Sequence, residues 1–167
     1  MSDIDINQIL AEHFGHFSTE RHTLVGKGIP SVSYAVLPLT HFKVKNPNKH
    51  NLSNSRVIVP RQSVGRLKER LSILVQGDSP DCLFMFARTA AGGQQTFILN
   101  GADNKVLSLS GHKMSFSARM VGRNSLLIGE GTFIASARIA LVDTDFEVGA
   151  HGLWSDEILI QGSDQHG

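Results

Sequence analysis

Cysteine is nearly absent: Cys82 is the only one in the chain, so no intrachain disulfide can staple it. The thiol lies in the apolar run Cys82-Leu83-Phe84-Met85-Phe86, the setting of a buried group, and this usage fits the reducing cytoplasm. Charge of one sign is also missing. Sixteen Lys and Arg stand against fifteen Asp and Glu, a net of +1, which excludes a global attraction to nucleic acid or to an acidic membrane. Long hydrophobic runs do not occur, and no stretch approaches the roughly eighteen apolar residues of a membrane-spanning helix. The opening Met1-Ser2-Asp3-Ile4-Asp5 has neither a basic leader nor an apolar segment, so a secretory signal is not expected. Aromatic side chains are sparse, with one Trp and one Tyr. The basic stretch from 43 to 70, eight cations against Glu69, therefore has no interleaved rings and reads as a solvated face and not as a nucleic-acid surface. Residues 138 to 167 are its opposite, with Arg138 against six carboxylates.

What the chain does have is periodicity that changes along its length. Ile6, Ile9, Leu10, His13, Phe14 and Phe17 recur at three and four, which predicts an amphipathic helix over 4–17. His13 and His16 stand three apart on it, as metal ligands do, but no third ligand accompanies them and no metal is expected. Residues 18 to 58 read as loop with short strands at 32–37 and 56–59. Pro60 precedes Val64, Leu67, Leu71 and Leu74, whose spacing predicts a second helix ending near Gly77. From residue 82 short apolar runs alternate with glycine; Gly92-Gly93 and Asn100-Gly101 read as tight turns, and Gly92-Gly93 as that of a hairpin.

Beyond residue 105 a six-residue repeat emerges. Ile128-Gly129-Glu130-Gly131-Thr132-Phe133 has an aliphatic first, a glycine second and a small fifth position; Ile134, Val148, Trp154 and Ile160 continue the aliphatic or large apolar position. The step from Ile128 to Val148 is twenty residues, one coil of three hexapeptides plus two residues assigned to the turn at Asp143 to Asp145. One inward side chain per six residues is what each side of a triangular parallel coil requires. The pattern predicts a mainly β protein: an incomplete left-handed parallel β-helix over 105–167 preceded by a small α+β region over 1–104. Arg138 and Ile158 occupy positions where the repeat calls for a small residue.

The stretch from Ile128 to Gly167, above all its Trp-Ser-Asp, Ile and Asp-Gln-His elements, resembles the hexapeptide-repeat O-acyltransferases, particularly those that acetylate sugars of bacterial capsules, lipopolysaccharide or exopolysaccharide. The resemblance covers about residues 105 to 167. It implies transfer of acetyl from acetyl-CoA to a hydroxyl of a sugar or glycan, with His166 as general base and Asp164 orienting its ring. Asp156, Ser163 and Trp154 are the implied contacts to the acceptor sugar. It also implies a homotrimer and further coils beyond Gly167 to hold acetyl-CoA, so no cofactor-binding residue is assigned within the 167. The alternative is a non-catalytic glycan- or protein-binding β-helix scaffold.

Overall fold

The computed structural model describes residues 4–17, 29–149 and 153–163, and along 153–163 it describes the backbone course. Its dominant feature is a parallel β-solenoid of about four turns, built as two six-stranded sheets. Sheet A stacks β1 (Tyr34–Pro38), β3 (Arg56–Pro60), β5 (Leu83–Phe86), β7 (Lys105–Ser108), β9 (Ser125–Ile128) and β11 (Asp145–Val148). Sheet B stacks β2 (Lys43–Lys45), β4 (Leu71–Val75), β6 (Gln95–Asn100), β8 (Met114–Val121), β10 (Phe133–Val142) and β12 (Leu153–Ser163). The chain alternates between the sheets, so consecutive strands never pair, and every pairing is parallel except β1 with β3.

This topology revises two readings. Gly92-Gly93 joins β5 to β6 in the other sheet and is no hairpin turn. Gly93 is still needed there: its φ is +85°, and a Cβ would collide with the Met114 carbonyl of the next coil. The division at residue 104 also falls inside a continuous stack, because Arg56, Leu83, Lys105, Ser125 and Asp145 lie one above another. Those steps are 27, 22, 20 and 20 residues. The early coils carry insertions, and these hide the repeat from a search for constant spacing.

One insertion holds helix α2 (Val64–Arg70), which ends earlier than predicted. Leu71 turns extended, and Leu71, Ile73 and Val75 alternate into the core as β4. Leucine spaced by three or four served the helix pattern, but burial against Phe97 and Leu99 of β6 decides for a strand. Helix α1 (Ile6–Phe14) forms where expected, capped by Asp5, whose carboxylate accepts the Gln8 amide at 3.2 Å.

Alternation then assigns the faces. Val57, Phe84, Val106, Leu126 and Ile128 of sheet A meet Ile73, Phe97, Phe116, Met120, Ile139 and Leu141 of sheet B in the interior. Phe97 centres this core, edge-on to Phe84 at 5.0 Å and to Phe116 at 5.5 Å. The opposite face of sheet A is apolar too: Ile58, Leu83, Met85, Leu107 and Leu127 are covered by Leu10 and Phe14 of α1. In β3, β5, β7 and β9 both faces are thus buried apart from the first residue of β3 and β7, and these strands are largely apolar runs.

Of the five predicted interior residues, Ile128, Ile134 and Val148 are buried. Ile128 pairs with Val148 and Ile134 with Trp154, so the twenty-residue step is the coil itself. Ile160 pairs with Ile139; the side chains of Trp154 and Ile160 lie outside the described residues. The six-residue step from Ile128 to Ile134 carries the chain from one sheet to the other, because β10, at ten residues, is longer than one hexapeptide side.

Candidate functional site

Each coil turns into sheet A at a corner whose residues stack as a polar ladder: Ser55, Cys82, Asn104, Asn124 and Thr144, each just before a strand. The Asn104 side-chain oxygen accepts the Asn124 amide at 2.9 Å, and that of Asn124 accepts the Thr144 amide at 2.9 Å. The Asn104 amide group donates to the carbonyls of Gly101 and Gly122. Ser55 Oγ accepts the Cys82 amide at 3.0 Å. The ladder satisfies buried backbone groups that a sharp turn would strand. The corners need positive φ, supplied by Asn54, Asp81, Asp103 and Asp143, and by Gly122 in the coil between the last two. Cys82 sits wholly buried in this ladder, and burial pushes its thiol up to about 11, which makes it an inert structural group.

Where α1 meets the last rungs of this corner, a cavity of about 360 Å³ opens between Glu12, His13 and His16 of the helix segment and Lys105, Arg123, Ser125, Asp143, Thr144 and Asp145 of the coils. The stacked positions 105, 125 and 145 place a cation, a hydroxyl and a carboxylate side by side along one column. His16 Nε2 lies 3.5 Å from Asp145. His13 Nδ1 is buried without a hydrogen-bond partner, while its Nε2 lies 3.9 Å from Glu12. Burial, then the neighbouring Lys105 and Arg56, hold the His13 imidazole below its ordinary value, against the opposing pull of Glu12. Asp143 accepts the Arg123 amide at 2.9 Å, which fixes its carboxylate at the cavity rim. Cations beside carboxylates and a serine hydroxyl make a lining suited to a small ligand that carries both hydroxyls and an acidic group.

This cavity is not where the sequence placed the chemistry. Asp164 and His166 lie outside the described residues. Asp156, Ser163 and Trp154 belong to β12, which pairs in parallel with β10 at the opposite sheet; Trp154 stands beside Ile134 and Ser163 beside Val142 in the backbone register. His13 and His16 were weighed only as metal ligands on a packed or surface helix, and their helical spacing does not point to Asp145. The signal was the twenty-residue step: applied to the charged positions, it brings 105, 125 and 145 into one column. Among the described residues no three of His, Cys, Asp and Glu gather as metal ligands, and no helix is long and apolar enough to cross a membrane. Comparison with protein-family models, with curated proteins and with solved structures found no match.

Proposed function

We propose that this chain takes part in acetyl transfer from acetyl-CoA to a sugar or glycan hydroxyl in the cytoplasm, in the synthesis of cell-surface polysaccharide. The observation that carries the reading is β12. The strand that holds the Trp-Ser-Asp-Glu-Ile-Leu-Ile run is a further rung of the same solenoid, paired with β10 from Phe133–Leu153 to Val142–Ser163, and in the sequence it is followed by Asp164 and His166. His166 would take the proton of the acceptor hydroxyl as that oxygen attacks the thioester carbonyl; coenzyme A leaves as the thiolate and the proton passes to it. Asp164 would orient the imidazole, and Asp156, Ser163 and Trp154 would contact the sugar. A left-handed coil and a homotrimer belong to the same proposal.

The test is acetyl transfer from acetyl-CoA to a panel of sugars, followed by mass spectrometry. His166→Ala is expected to lower turnover by roughly 10²- to 10⁴-fold, and Asp164→Asn by less. Turnover that survives His166→Ala removes the histidine from the chemistry. A second reading, a non-catalytic glycan-binding solenoid, is favoured by the polar cavity under α1. Under that reading sugars bind without turnover, and Lys105→Ala weakens them.

A further inference from the structure

Helix α1 covers the outward face of sheet A through Leu10 and Phe14, but it leaves a gap over the leading ends of β7, β9 and β11. The reason lies in one column. The leading residues of successive strands read Arg56, Leu83, Lys105, Ser125 and Asp145, so polar side chains follow the buried Leu83, and the helix segment stands there over the cavity of about 360 Å³. Its charges are sorted along the stack. Lys105 stands on one rung and Arg123 at the corner leading into the next, while Asp143 and Asp145 belong to the rung after that. With rungs about 4.8 Å apart, the backbone positions of Lys105 and Asp145 lie roughly 10 Å apart, with Ser125 midway. The two histidines follow the same order: His13 feels the charge of Lys105 and Arg56, and His16 Nε2 is 3.5 Å from Asp145. Neither Lys105 nor Arg123 makes an ion pair among the described residues.

We infer that this cavity binds a single sugar acid, a monosaccharide carrying one carboxylate, with the carboxylate at Lys105 and Arg123 and the ring hydroxyls toward Ser125, Asp143 and Asp145. Two unpaired cations at one end favour an anion, and the fork of a guanidinium matches the two oxygens of a carboxylate. The cavity's own charge limits that anion to a single one. Lys105 and Arg123 contribute +2 and Glu12, Asp143 and Asp145 contribute −3, so the lining stands at −1 before either histidine takes a proton. A dianion such as a phosphate monoester would meet three carboxylates with too few cations to offset them. Burial and the nearby cations favour neutral His13, which therefore adds a hydrogen-bonding ring without a further charge. At the far end Asp143 and Asp145 only accept hydrogen bonds and so select donors, while the Ser125 hydroxyl between the two ends both donates and accepts. The Arg123 amide on Asp143 and the His16 ring beside Asp145 already lie against those carboxylates, which leaves hydroxyls, and not an ammonium, as their fitting partner. A cavity of about 360 Å³ is at the small end of ligand pockets, roughly 300–1,000 Å³, and suits one ring and not a chain of them. The inference rests on the reading of this cavity as a sugar site and is independent of acetyl transfer at His166.

The test is an NMR titration of the whole chain with methyl glucuronide and methyl galacturonide, with methyl glucoside, propionate and glucose 6-phosphate as comparisons. At least one uronide is expected to bind, to shift the amides of Lys105, Ser125 and Asp145, and to bind about tenfold more tightly than the glucoside or propionate, each of which lacks one half of the recognised chemistry. Lys105→Gln and Arg123→Gln are each expected to lower uronide affinity by about tenfold. Lys45→Gln, which removes a cation from the other sheet, is expected to bind as the parent does. Thermal melting verifies that each variant folds, and because all three positions are wholly or partly exposed the melts are expected to coincide. Glucoside binding equal to that of the uronides overturns the acidic ligand and leaves the cavity a sugar site. Propionate binding equal to that of the uronides overturns both the inference and the sugar reading beneath it. Tighter binding of glucose 6-phosphate overturns the selection of a single negative charge. Uronide binding that ignores Lys105→Gln and Arg123→Gln, or the absence of binding by both uronides, also overturns the inference.

Discussion

The two sheets share one core, yet their outward faces have opposite fates. On sheet A the outward stack of Ile58, Met85, Leu107 and Leu127 is apolar, and α1 lies on it with Leu10 and Phe14 buried. On sheet B the outward stack of Ser72, Thr96 and Ser117 is polar, with Leu74 and Ile98 beside it, and no described helix is among the residues packed on it. In a solenoid each coil contributes one residue per column, so the chemistry of a whole face is set by a few positions repeated every twenty residues or so. The difference shows that the coil's inside fixes the fold, whereas its outside is free to be written separately on each side.

A carboxylate introduced on each face would measure that freedom. Leu107→Asp places a charge beneath α1 at a position with no exposure, and should destabilise by about 3 kcal/mol or more in urea unfolding. Ile98→Asp, on the outward face of sheet B and only half-buried, should lose about 1 kcal/mol, mainly through weaker strand preference. Equal losses would mean that sheet B is covered in solution and would break the contrast.

Asn104 lies at the corner that both faces share. Its side chain joins two coils, donating to Gly101 and Gly122 and accepting twice from Asn124. Asn104→Ala leaves those buried groups unpaired and should destabilise by about 2 kcal/mol, less than the buried charge but more than the outward substitution on sheet B. A smaller loss, below that of Ile98→Asp, would show that the ladder decorates a corner already fixed by its positive-φ residues.

The legible part of this fold was the part whose spacing is constant. Ile128, Ile134 and Val148 were correctly placed inside because the last coils repeat at twenty residues with no insertion. The first coils were missed because the chain spends 27 residues between Arg56 and Leu83, part of them in α2, and a repeat search has no means of discounting such an insertion. Leu71 and Leu74 supported a helix locally; only the neighbouring strand β6, distant in sequence, makes their segment a strand. The polar cavity was illegible for the same reason. His16 and Asp145 are far apart in sequence, and nothing local to either foretells that α1 returns across the last coils. The residues proposed for acetyl transfer rest on a motif whose strand is present as β12, while Asp164 and His166 lie outside the described residues.

The smallest effect concerns how α1 is held. His13 shares the cavity with Lys105 and feels the charge of Arg56, with Glu12 beside it and the His16–Asp145 pair one turn on. Burial and the two cations favour its neutral form, so its proton affinity in the folded protein is below that of the unfolded chain, whose imidazole titrates near 6.5. Above that value both states hold His13 neutral and its contribution does not vary. As pH falls from there toward the lower folded value, the unfolded chain takes up the proton first, and stability is lost over that window. His13→Gln keeps a polar group of similar reach but does not titrate. Urea unfolding at intervals from pH 8 to pH 5 should therefore show a shallower acid decline in the variant than in the parent, with Leu107, beneath the helix, becoming no more exposed at pH 8. Hydrogen exchange adds the spatial reading: on acidification, amides of α1 should lose protection before those of β4 and β6 in sheet B. If sheet B opens first, or if His13→Gln leaves the acid decline unchanged, the covered face is not held through this histidine, and the apolar contact of Leu10 and Phe14 alone fastens the helix to sheet A.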